Sequence, residues 1–238
     1  MATADTPTDD APGEAFDFIA YGQKAVEAYR EVRGRFEECA QAVRSVLRAV
    51  LDEERVKVQV VEARAKSVKS FREKAERPAK EDANKPKYPD PPSGITDLAG
   101  VRVIVYLLGD AEQVGRLIYH EFEVLQKHSP VGRLGPSGYQ STHYLVRFKV
   151  PRSQLPEYER FRDLTVEIQV RTVLQHGWAE IEHGMVYKPE GPEGPPGADI
   201  RTRLVEIAGS LRIADREFQR IDTESKAEPS VEGPAKPA

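Results

Sequence analysis

The chain has a single cysteine and no long hydrophobic run. Cys39 is the only cysteine among 238 residues, so no disulfide can form within the chain, and this fits a reducing compartment. No apolar stretch approaches the roughly 20 residues that a transmembrane helix requires. Residues 1–14 are acidic and lack the basic-then-apolar pattern of a secretory signal. We therefore expect a cytoplasmic protein without a membrane anchor.

An excess of positive charge is also absent. The formal net charge is −4, which argues against broad, nonspecific nucleic-acid binding, because such binding needs a basic surface. One local basic stretch is present: six of the fourteen residues from Arg64 to Arg77 are Lys or Arg. Such a stretch is typical either of a solvated helix face or of a pocket for anionic groups.

Composition divides the chain into a core, two helical extensions and two tails. Residues 1–14 and 222–238 have few large apolar side chains and are predicted to be disordered. Residues 15–52 form a predicted N-terminal helical segment, and residues 191–221 contain a predicted C-terminal helix. The core spans residues 53–190 and includes a proline-rich stretch at Pro78–Gly94, which predicts a long mobile loop.

Both helical extensions carry a narrow stripe of apolar residues at spacings of three and four. Each stripe can pack on the core, on the other helix or across an oligomer interface, and the pattern does not choose among these. The first stripe consists of Ala25, Tyr29, Val32, Phe36, Cys39, Val43, Val46 and Val50. The second consists of Ile200, Leu204, Ile207, Leu211, Ala214, Phe218 and Ile221.

The core predicts a mixed α/β fold, because apolar runs of strand length alternate with segments of helical periodicity. The predicted strands are Val56–Val61, Val101–Leu108, Tyr139–Val150 and Leu164–Arg171. The predicted helices lie near Ser67–Arg77, Ala111–His120 and Val173–Tyr187.

The strand predicted at Leu164–Arg171 has one apolar and one polar face. Successive side chains of a strand point to opposite sides, so Glu167, Gln169 and Arg171 share a face opposite Val166 and Ile168. This face is either the solvated side of an edge strand or a site with a carboxylate, an amide and a guanidinium in a row.

A related pattern follows the Gly-rich turn at residues 135–138. Tyr139, Ser141 and His143 share one face of the strand predicted there. An aromatic ring and an imidazole beside such a turn can stack on a base and contact phosphate. The same residues are also consistent with ordinary cross-strand packing.

Arg102 lies within an otherwise apolar predicted strand. A buried guanidinium requires an anionic partner, and Asp97 lies where the chain enters this strand. Either the two side chains form a salt bridge, or both face a ligand phosphate and its metal. Together with Glu167 and the basic stretch, they form the set of groups that magnesium-dependent phosphoryl transfer uses.

Three motifs, in chain order, resemble the synthetase motifs of the RelA/SpoT family. They are ITDLAGVRV (residues 95–103), GYQSTHY (138–144) and VEIQVRT (166–172), and RAKSVKSFREK (64–74) and WAEIEHGMVYK (178–188) extend the match. The resemblance implies a nucleotidyltransferase-like mixed β-sheet flanked by helices. It also implies transfer of pyrophosphate from ATP to the 3′-hydroxyl of GDP or GTP, giving (p)ppGpp and AMP.

The resemblance assigns roles to individual residues. Asp97 and Glu167 correspond to carboxylates associated with Mg²⁺, and Glu167 is also the candidate general base toward the acceptor hydroxyl. The residues that correspond to the ATP site are Arg64, Lys66, Ser70, Lys74 and Arg102. Those that correspond to the acceptor pocket are Tyr139, which stacks on the base, and His143, Gln169, Arg171, His176, Glu182 and His183.

Two departures from the family pattern leave the acceptor open. Gly135 stands where many small synthetases have a lysine, and Arg133 is a candidate to replace that cation. His176 stands where many relatives have a small acid or amide. The alternatives are relatives that pyrophosphorylate the 3′ end of tRNA, with an antitoxin partner, or that make adenine alarmones. A non-catalytic nucleotide-binding regulator is a further alternative, which the presence of both Asp97 and Glu167 disfavours.

Histidines bear on two more expectations. No histidine precedes His120 and no His-Asp dipeptide occurs, so the resemblance implies a synthetase without the family's hydrolase domain. His176, Glu180 and His183 share one helix face, but their order is not the HExxH of zinc proteases, and we favour pocket lining over zinc binding.

Small synthetases commonly form homotetramers, so the C-terminal apolar stripe is a candidate oligomer interface.

Overall fold

In the computed structural model of the chain, residues 16–129, 139, 141–187 and 197–227 are described. The described residues divide into two compact units, the first comprising residues 16–32 and 67–95 and the second comprising residues 33–66 and those from 96 onwards. Among the described residues, no helix combines the length and the apolar character needed to cross a bilayer.

The described elements alternate between helix and strand. The helices are α1 (Phe18–Glu53), α2 (Val68–Ala75), α3 (Pro91–Gly94), α4 (Leu108–Glu121), α5 (Val150–Ser153), α6 (Pro156–Glu159), α7 (Val173–Glu182) and α8 (Ala198–Ala227). The strands are β1 (Val58–Ala65), β2 (Ala99–Val105), β3 (Phe122–His128), β4 (Thr142–Phe148) and β5 (Val166–Thr172). A π-helical turn, His183–Tyr187, follows α7 directly.

The first unit contains the beginning of α1 together with α2. The Tyr29 ring stacks on the Phe71 ring with centroids 4.1 Å apart, and both residues are fully buried. Ser67 caps α2, because its side chain accepts a hydrogen bond from the backbone N–H of Ser70. The predicted loop at Pro78–Gly94 is largely irregular, but it contains a β-bridge between Pro78 and Pro86 and the single turn α3.

The second unit is built on a five-stranded mixed sheet in the order β1-β2-β5-β4-β3. The central pair, β2 and β5, is parallel, and the other neighbouring strands pair antiparallel. The core contains Leu47 and Leu51 from α1, Val114 and Ile118 from α4, and the apolar faces of the strands. This arrangement confirms the predicted mixed α/β fold.

Several predicted boundaries are wrong, and one strand is absent from the prediction. β3 follows α4 with no Gly or Pro between them, so the local sequence does not mark the change from helix to strand, and β3 is recognised in the structure by its pairing with β4. β1 lies further along the chain than the predicted 56–61, and β2 ends at Val105, before the predicted 108. β4 begins at Thr142, so Tyr139 and Ser141 precede the strand rather than lying within it.

Helix α8 differs from its prediction in length and in the face that it buries. It continues past the predicted end at residue 221 to Ala227, so the tail predicted at 222–238 begins too early. Its buried residues are Leu204, Ala208 and Asp215. Part of the predicted stripe is exposed, namely Ile200, Ile207, Phe218 and Ile221. By contrast, most of the predicted stripe of α1 is buried or partly buried.

Candidate active site

A cleft of about 440 Å³ opens on the β1, β2 and β5 side of the second unit. Its walls carry both cationic and anionic side chains, and α1 also contributes to them. The polar residues that line it are Gln41, Arg44, Glu62, Arg64, Lys66, Asp97, Arg102, Glu167 and Gln169. The cleft therefore brings together six residues that the sequence assigned to catalysis or nucleotide binding.

Strand register explains why these residues meet. Arg102 on β2 lies opposite Glu62 on β1 and Gln169 on β5, so one row of polar side chains crosses three strands. In the neighbouring row, Gly100 lies opposite both Arg64 and Glu167. Because Gly100 has no side chain, this row leaves space between a cation and a carboxylate.

Ion pairs join the walls of the cleft. Lys66 Nζ donates to Asp97 Oδ2 at 2.9 Å. Arg102 Nη1 lies 3.4 Å from Glu180 Oε1 and 3.9 Å from Glu62 Oε2. The Arg102 side chain is 19% exposed, whereas those of Glu62 and Glu180 are more than half exposed. The guanidinium is therefore held at the surface of the cleft, where an anionic ligand can replace one of these carboxylates.

Glu167 is held through both of its carboxylate oxygens. His143 Nδ1 lies 3.1 Å from Oε1, and Gln169 Nε2 donates to Oε2 at 2.8 Å. His143 Nε2 in turn lies 3.0 Å from Ser141 Oγ. The Glu167 side chain is 18% exposed, so an oriented carboxylate still reaches the cleft.

Arg171 and His176 lie close to the charged side chains of Arg102 and Glu180. Burial, with a further contribution from Arg102, lowers the pKa of Arg171 to about 10, which still leaves the guanidinium charged at neutral pH. Burial and Arg102 also lower the pKa of His176, which favours its neutral form. His176 lines a second, mainly apolar cleft of about 860 Å³ rather than the first.

Tyr139 does not line the first cleft. Its ring is 8% exposed and is buried in a cluster with Trp178, Leu204 and Ala208. Its hydroxyl donates a hydrogen bond to the Oδ2 atom of Asp215, which also accepts a hydrogen bond from Thr172 Oγ1 at 2.7 Å. In this conformation the ring is covered by α8, and no base can stack on it.

The remaining predicted residues are not among those that line the first cleft. Ser70 and Lys74 lie on α2 in the first unit, where Lys74 Nζ is 5.9 Å from the centre of the Tyr88 ring. Glu182 ends α7, and the exposed His183 begins the π-helical turn. Arg133 and Gly135 lie outside the described residues.

The structure adds polar groups that the sequence reasoning did not assign to the cleft. Gln41 and Arg44 reach it from α1, and Arg44 Nε donates to the carbonyl oxygen of Val61 at 2.8 Å. No local pattern distinguishes them from other polar residues of a long helix. The sequence suggests Glu180 only as a zinc candidate, whereas in the structure its carboxylate contacts Arg102.

A family model described as a region found in RelA/SpoT proteins matches residues 63–192. The chain belongs to the RelA/SpoT family. The matched region contains the three central motifs, at 95–103, 138–144 and 166–172, so the predicted family resemblance is confirmed. In this RelA/SpoT chain, the matched region also supplies most of the residues that line the first cleft.

Two curated relatives from Bacillus subtilis (strain 168) are similar to this RelA/SpoT chain. The GTP pyrophosphokinase YjbM is 28% identical over 131 residues, which are 53% of this chain and 57% of the relative. The GTP pyrophosphokinase YwaC is 28% identical over 119 residues, which are 49% of this chain and 54% of the relative. The chain thus matches little more than half the length of these curated relatives.

Solved structures of small alarmone synthetases share the fold. Small alarmone synthetase 1 from Bacillus subtilis superposes with a TM-score of 0.62 at 24% identity, covering 87% of this chain and all of that one. Small alarmone synthetase 2 from the same organism gives 0.66 at 21% identity, covering 82% of this chain and 98% of that one. At these identities the similarity shows the common fold.

Proposed function

We propose that this chain is a small alarmone synthetase that transfers pyrophosphate from ATP to the 3′-hydroxyl of GDP or GTP, giving (p)ppGpp and AMP. The observation that carries the proposal is the meeting of Asp97 and Glu167 with Arg64, Lys66 and Arg102 in one cleft. The similar proteins YjbM and YwaC are named GTP pyrophosphokinases. Small alarmone synthetase 1 has been solved bound to its product pppGpp and bound to AMPCPP.

The proposed reaction is a displacement at the β-phosphorus of ATP. Glu167 accepts the proton of the acceptor 3′-hydroxyl, and the 3′-oxygen forms a bond to the β-phosphorus. The bond from that phosphorus to the oxygen bridging the α- and β-phosphates breaks, and AMP departs with the bridging oxygen and its electron pair. The hydrogen bonds from His143 and Gln169 orient the Glu167 carboxylate for this role.

The donor set of the cleft fits a magnesium ion. Asp97 and Glu167 line the same cleft, and carboxylate oxygens together with substrate phosphates are the ligands that Mg²⁺ prefers in such sites. These two residues would hold the ion, which when bound supplies positive charge against the phosphate oxygens. Lys66, whose ammonium contacts Asp97, orients that carboxylate and adds a cation of its own.

The cations of the cleft support binding of ATP. Arg64 and Arg102 lie on paired strands, and a guanidinium can stack on an adenine ring or contact phosphate oxygens. Lys66 provides a further charge for the phosphates. Ser70 and Lys74 are assigned to the ATP site by the family resemblance, and that assignment stays a prediction.

The acceptor site involves a rearrangement of Tyr139. Its ring is covered in this conformation, so stacking on a guanine base requires the contacts of α8 with the Tyr139 ring to open. His143, Gln169 and Arg171 remain the polar residues that we assign to the acceptor side. Roles for His176, Glu182 and His183 in acceptor binding stay predictions, as does the cytoplasmic location.

Self-association is part of the proposal. Four apolar side chains on α8 are between 42% and 53% exposed, namely Ile200, Ile207, Phe218 and Ile221. Exposure of such a row of apolar side chains to water is unfavourable, and a second copy of the chain would cover it. The exposed part of the predicted C-terminal stripe therefore supports the proposed homo-oligomer.

A transfer assay tests the proposal. The full chain is incubated with γ-labelled ATP, Mg²⁺ and one acceptor at a time: GDP, GTP, GMP, ADP or bulk tRNA. Label that arrives on a guanine nucleotide, and is lost in Glu167→Gln, is the expected result. Label on tRNA alone or on ADP alone would replace the guanine acceptor, and transfer to none of them would favour the regulator.

A further inference from the structure

We propose that His128, His143 and Glu167 form a binding site for a first-row transition-metal ion such as Zn²⁺. Each of the three offers one ligand atom, and these atoms all lie within 4.8 Å of one another. The site is formed by three adjacent strands, since His128 on β3 pairs with His143 on β4, and β4 pairs with β5, which carries Glu167. It shares Glu167 with the magnesium pair but not Asp97, and it has no residue in common with the helix face of His176 and His183.

The ligand types select the class of metal. Two imidazoles and one carboxylate are a recurrent ligand set for zinc, whereas magnesium prefers oxygen ligands. His143 Nδ1 and Glu167 Oε1 are 3.1 Å apart. Two ligands each about 2.0–2.1 Å from a tetrahedral zinc lie roughly 3.3 Å apart, so one ion can be held by both atoms with little movement.

The outer contacts are those of a built metal site. A histidine that binds a metal usually hydrogen-bonds through its other ring nitrogen, and a carboxylate ligand is usually held through its second oxygen. His143 Nε2 contacts Ser141 Oγ at 3.0 Å, and Glu167 Oε2 accepts from Gln169 at 2.8 Å. The His143 side chain is 7% exposed, so its ring orientation is fixed by packing.

His128 supplies the third group. Its ring centroid lies 5.6 Å from that of His143. Its Nδ1 atom is buried and has no hydrogen-bond partner among the described residues. A buried polar atom of this kind normally has a hydrogen-bond partner. If the His128 ring moved toward a bound ion, one of its ring nitrogens would gain the ion as a partner.

Occupation of this site has a consequence for the proposed reaction, and that consequence rests on the function proposed above. With Zn²⁺ on Glu167 Oε1 and the Gln169 amide on Oε2, neither carboxylate oxygen stays open both to Mg²⁺ and to the acceptor proton. Zinc would therefore inhibit transfer in competition with magnesium. Metal binding itself does not depend on transfer, so the two parts can fail separately.

A cobalt titration of the metal-free full chain tests the site directly. Four-coordinate Co²⁺ with imidazole ligands has strong visible absorption, and Zn²⁺ displaces it. We expect one equivalent of Co²⁺ to give this spectrum. In His128→Gln and His143→Gln the affinity should fall by about 10- to 100-fold or more. His120→Gln is the matched control, because His120 is an exposed histidine on α4, and it should bind like the unmodified chain.

Failure of the metal site can be told apart from failure of its proposed effect on transfer. The site would be overturned by the absence of a cobalt spectrum and of displacement by zinc, or by equal affinity in His128→Gln and the unmodified chain. His143 would then keep its roles in positioning Glu167 and on the acceptor side. Circular dichroism of each variant separates ligand loss from unfolding. Cobalt binding without zinc inhibition of transfer would retain the metal site and remove its proposed effect on Glu167.

Discussion

His143 Nδ1 lies 3.1 Å from Glu167 Oε1, on neighbouring strands β4 and β5 of the central sheet. The other carboxylate oxygen of Glu167, Oε2, accepts a hydrogen bond from Gln169. A carboxylate held on both sides and still open to a cleft is suited to remove a proton from a bound hydroxyl.

Replacement of Glu167 by Gln should reduce pyrophosphate transfer by about 10²–10⁴-fold, because the amide has the same shape but cannot act as a base. ATP binding, measured by calorimetry, should persist. Glu157→Gln is the control, since Glu157 is exposed on α6. A Glu167→Gln variant with the turnover of the unmodified chain would remove the general-base assignment.

Replacement of Asp97 by Asn should weaken the response to magnesium. The variant keeps the size of the side chain but removes the charge that attracts the ion, so the Mg²⁺ concentration for half-maximal transfer should rise about tenfold or more. Asp163→Asn provides the control, because Asp163 is exposed and outside the cleft. An unchanged magnesium titration would rule out Asp97 as a ligand.

Tyr139→Ala and Tyr139→Phe separate the ring from the hydroxyl. Stacking of a base on an aromatic ring contributes about 1–3 kcal/mol, so the Ala variant should raise the acceptor KM about tenfold or more, with a smaller effect on ATP. The Phe variant retains the ring and loses the hydrogen bond to Asp215 that helps to hold it covered, so its acceptor KM should be no higher than that of the unmodified chain. Equal increases in both KM values would show that Tyr139 has a structural role only.

Asp215 should make the stability of the fold depend on pH. Burial raises the pKa of this carboxyl from 3.8 to about 6. Between these values the unfolded chain has released the proton that the folded chain retains, so the contribution to the free energy of unfolding is present below about pH 4. It is lost as the pH rises to about 6, and it is constant above that value.

The difference between the unmodified chain and Asp215→Asn isolates this effect. Denaturant titrations at several pH values from 4 to 7 should show a decrease for the unmodified chain that the Asn variant lacks. Asp163→Asn should retain the decrease. Parallel stability curves for the unmodified chain and Asp215→Asn would show that the Asp215 carboxyl titrates with an ordinary pKa.

If α8 forms the oligomer interface, Ile207→Asp should reduce the mass of the assembly that the chain forms in solution, because Ile207 is 50% exposed on the apolar stripe. Leu211 is less suitable, since it packs against the cluster that contains Tyr139 and Trp178. Light scattering after size exclusion measures the mass, with the exposed Ile19→Asp on α1 as control. An unchanged oligomer in Ile207→Asp would remove the stripe from the interface.

The sequence predicted the polar face of β5 and the family because both depend on local pattern. Alternation along Val166–Thr172 places Glu167 and Gln169 on one face whatever surrounds the strand, and burial alternates as expected. Asp97 and Arg102 were singled out because charged residues border or interrupt an apolar strand. Boundaries were less accurate, since strand ends depend on pairing partners that local pattern does not specify.

By itself, therefore, the sequence determined the strand faces, the family motifs and the mixed α/β class. Tertiary structure alone decided which faces meet: β2 lies beside β5, which brings Arg102 opposite Gln169. It also buried Tyr139 against α8 and placed His128 beside His143. The physical reason is that periodicity is a property of neighbouring residues, whereas these contacts join segments far apart in the chain, and their formation depends on how the whole core is packed.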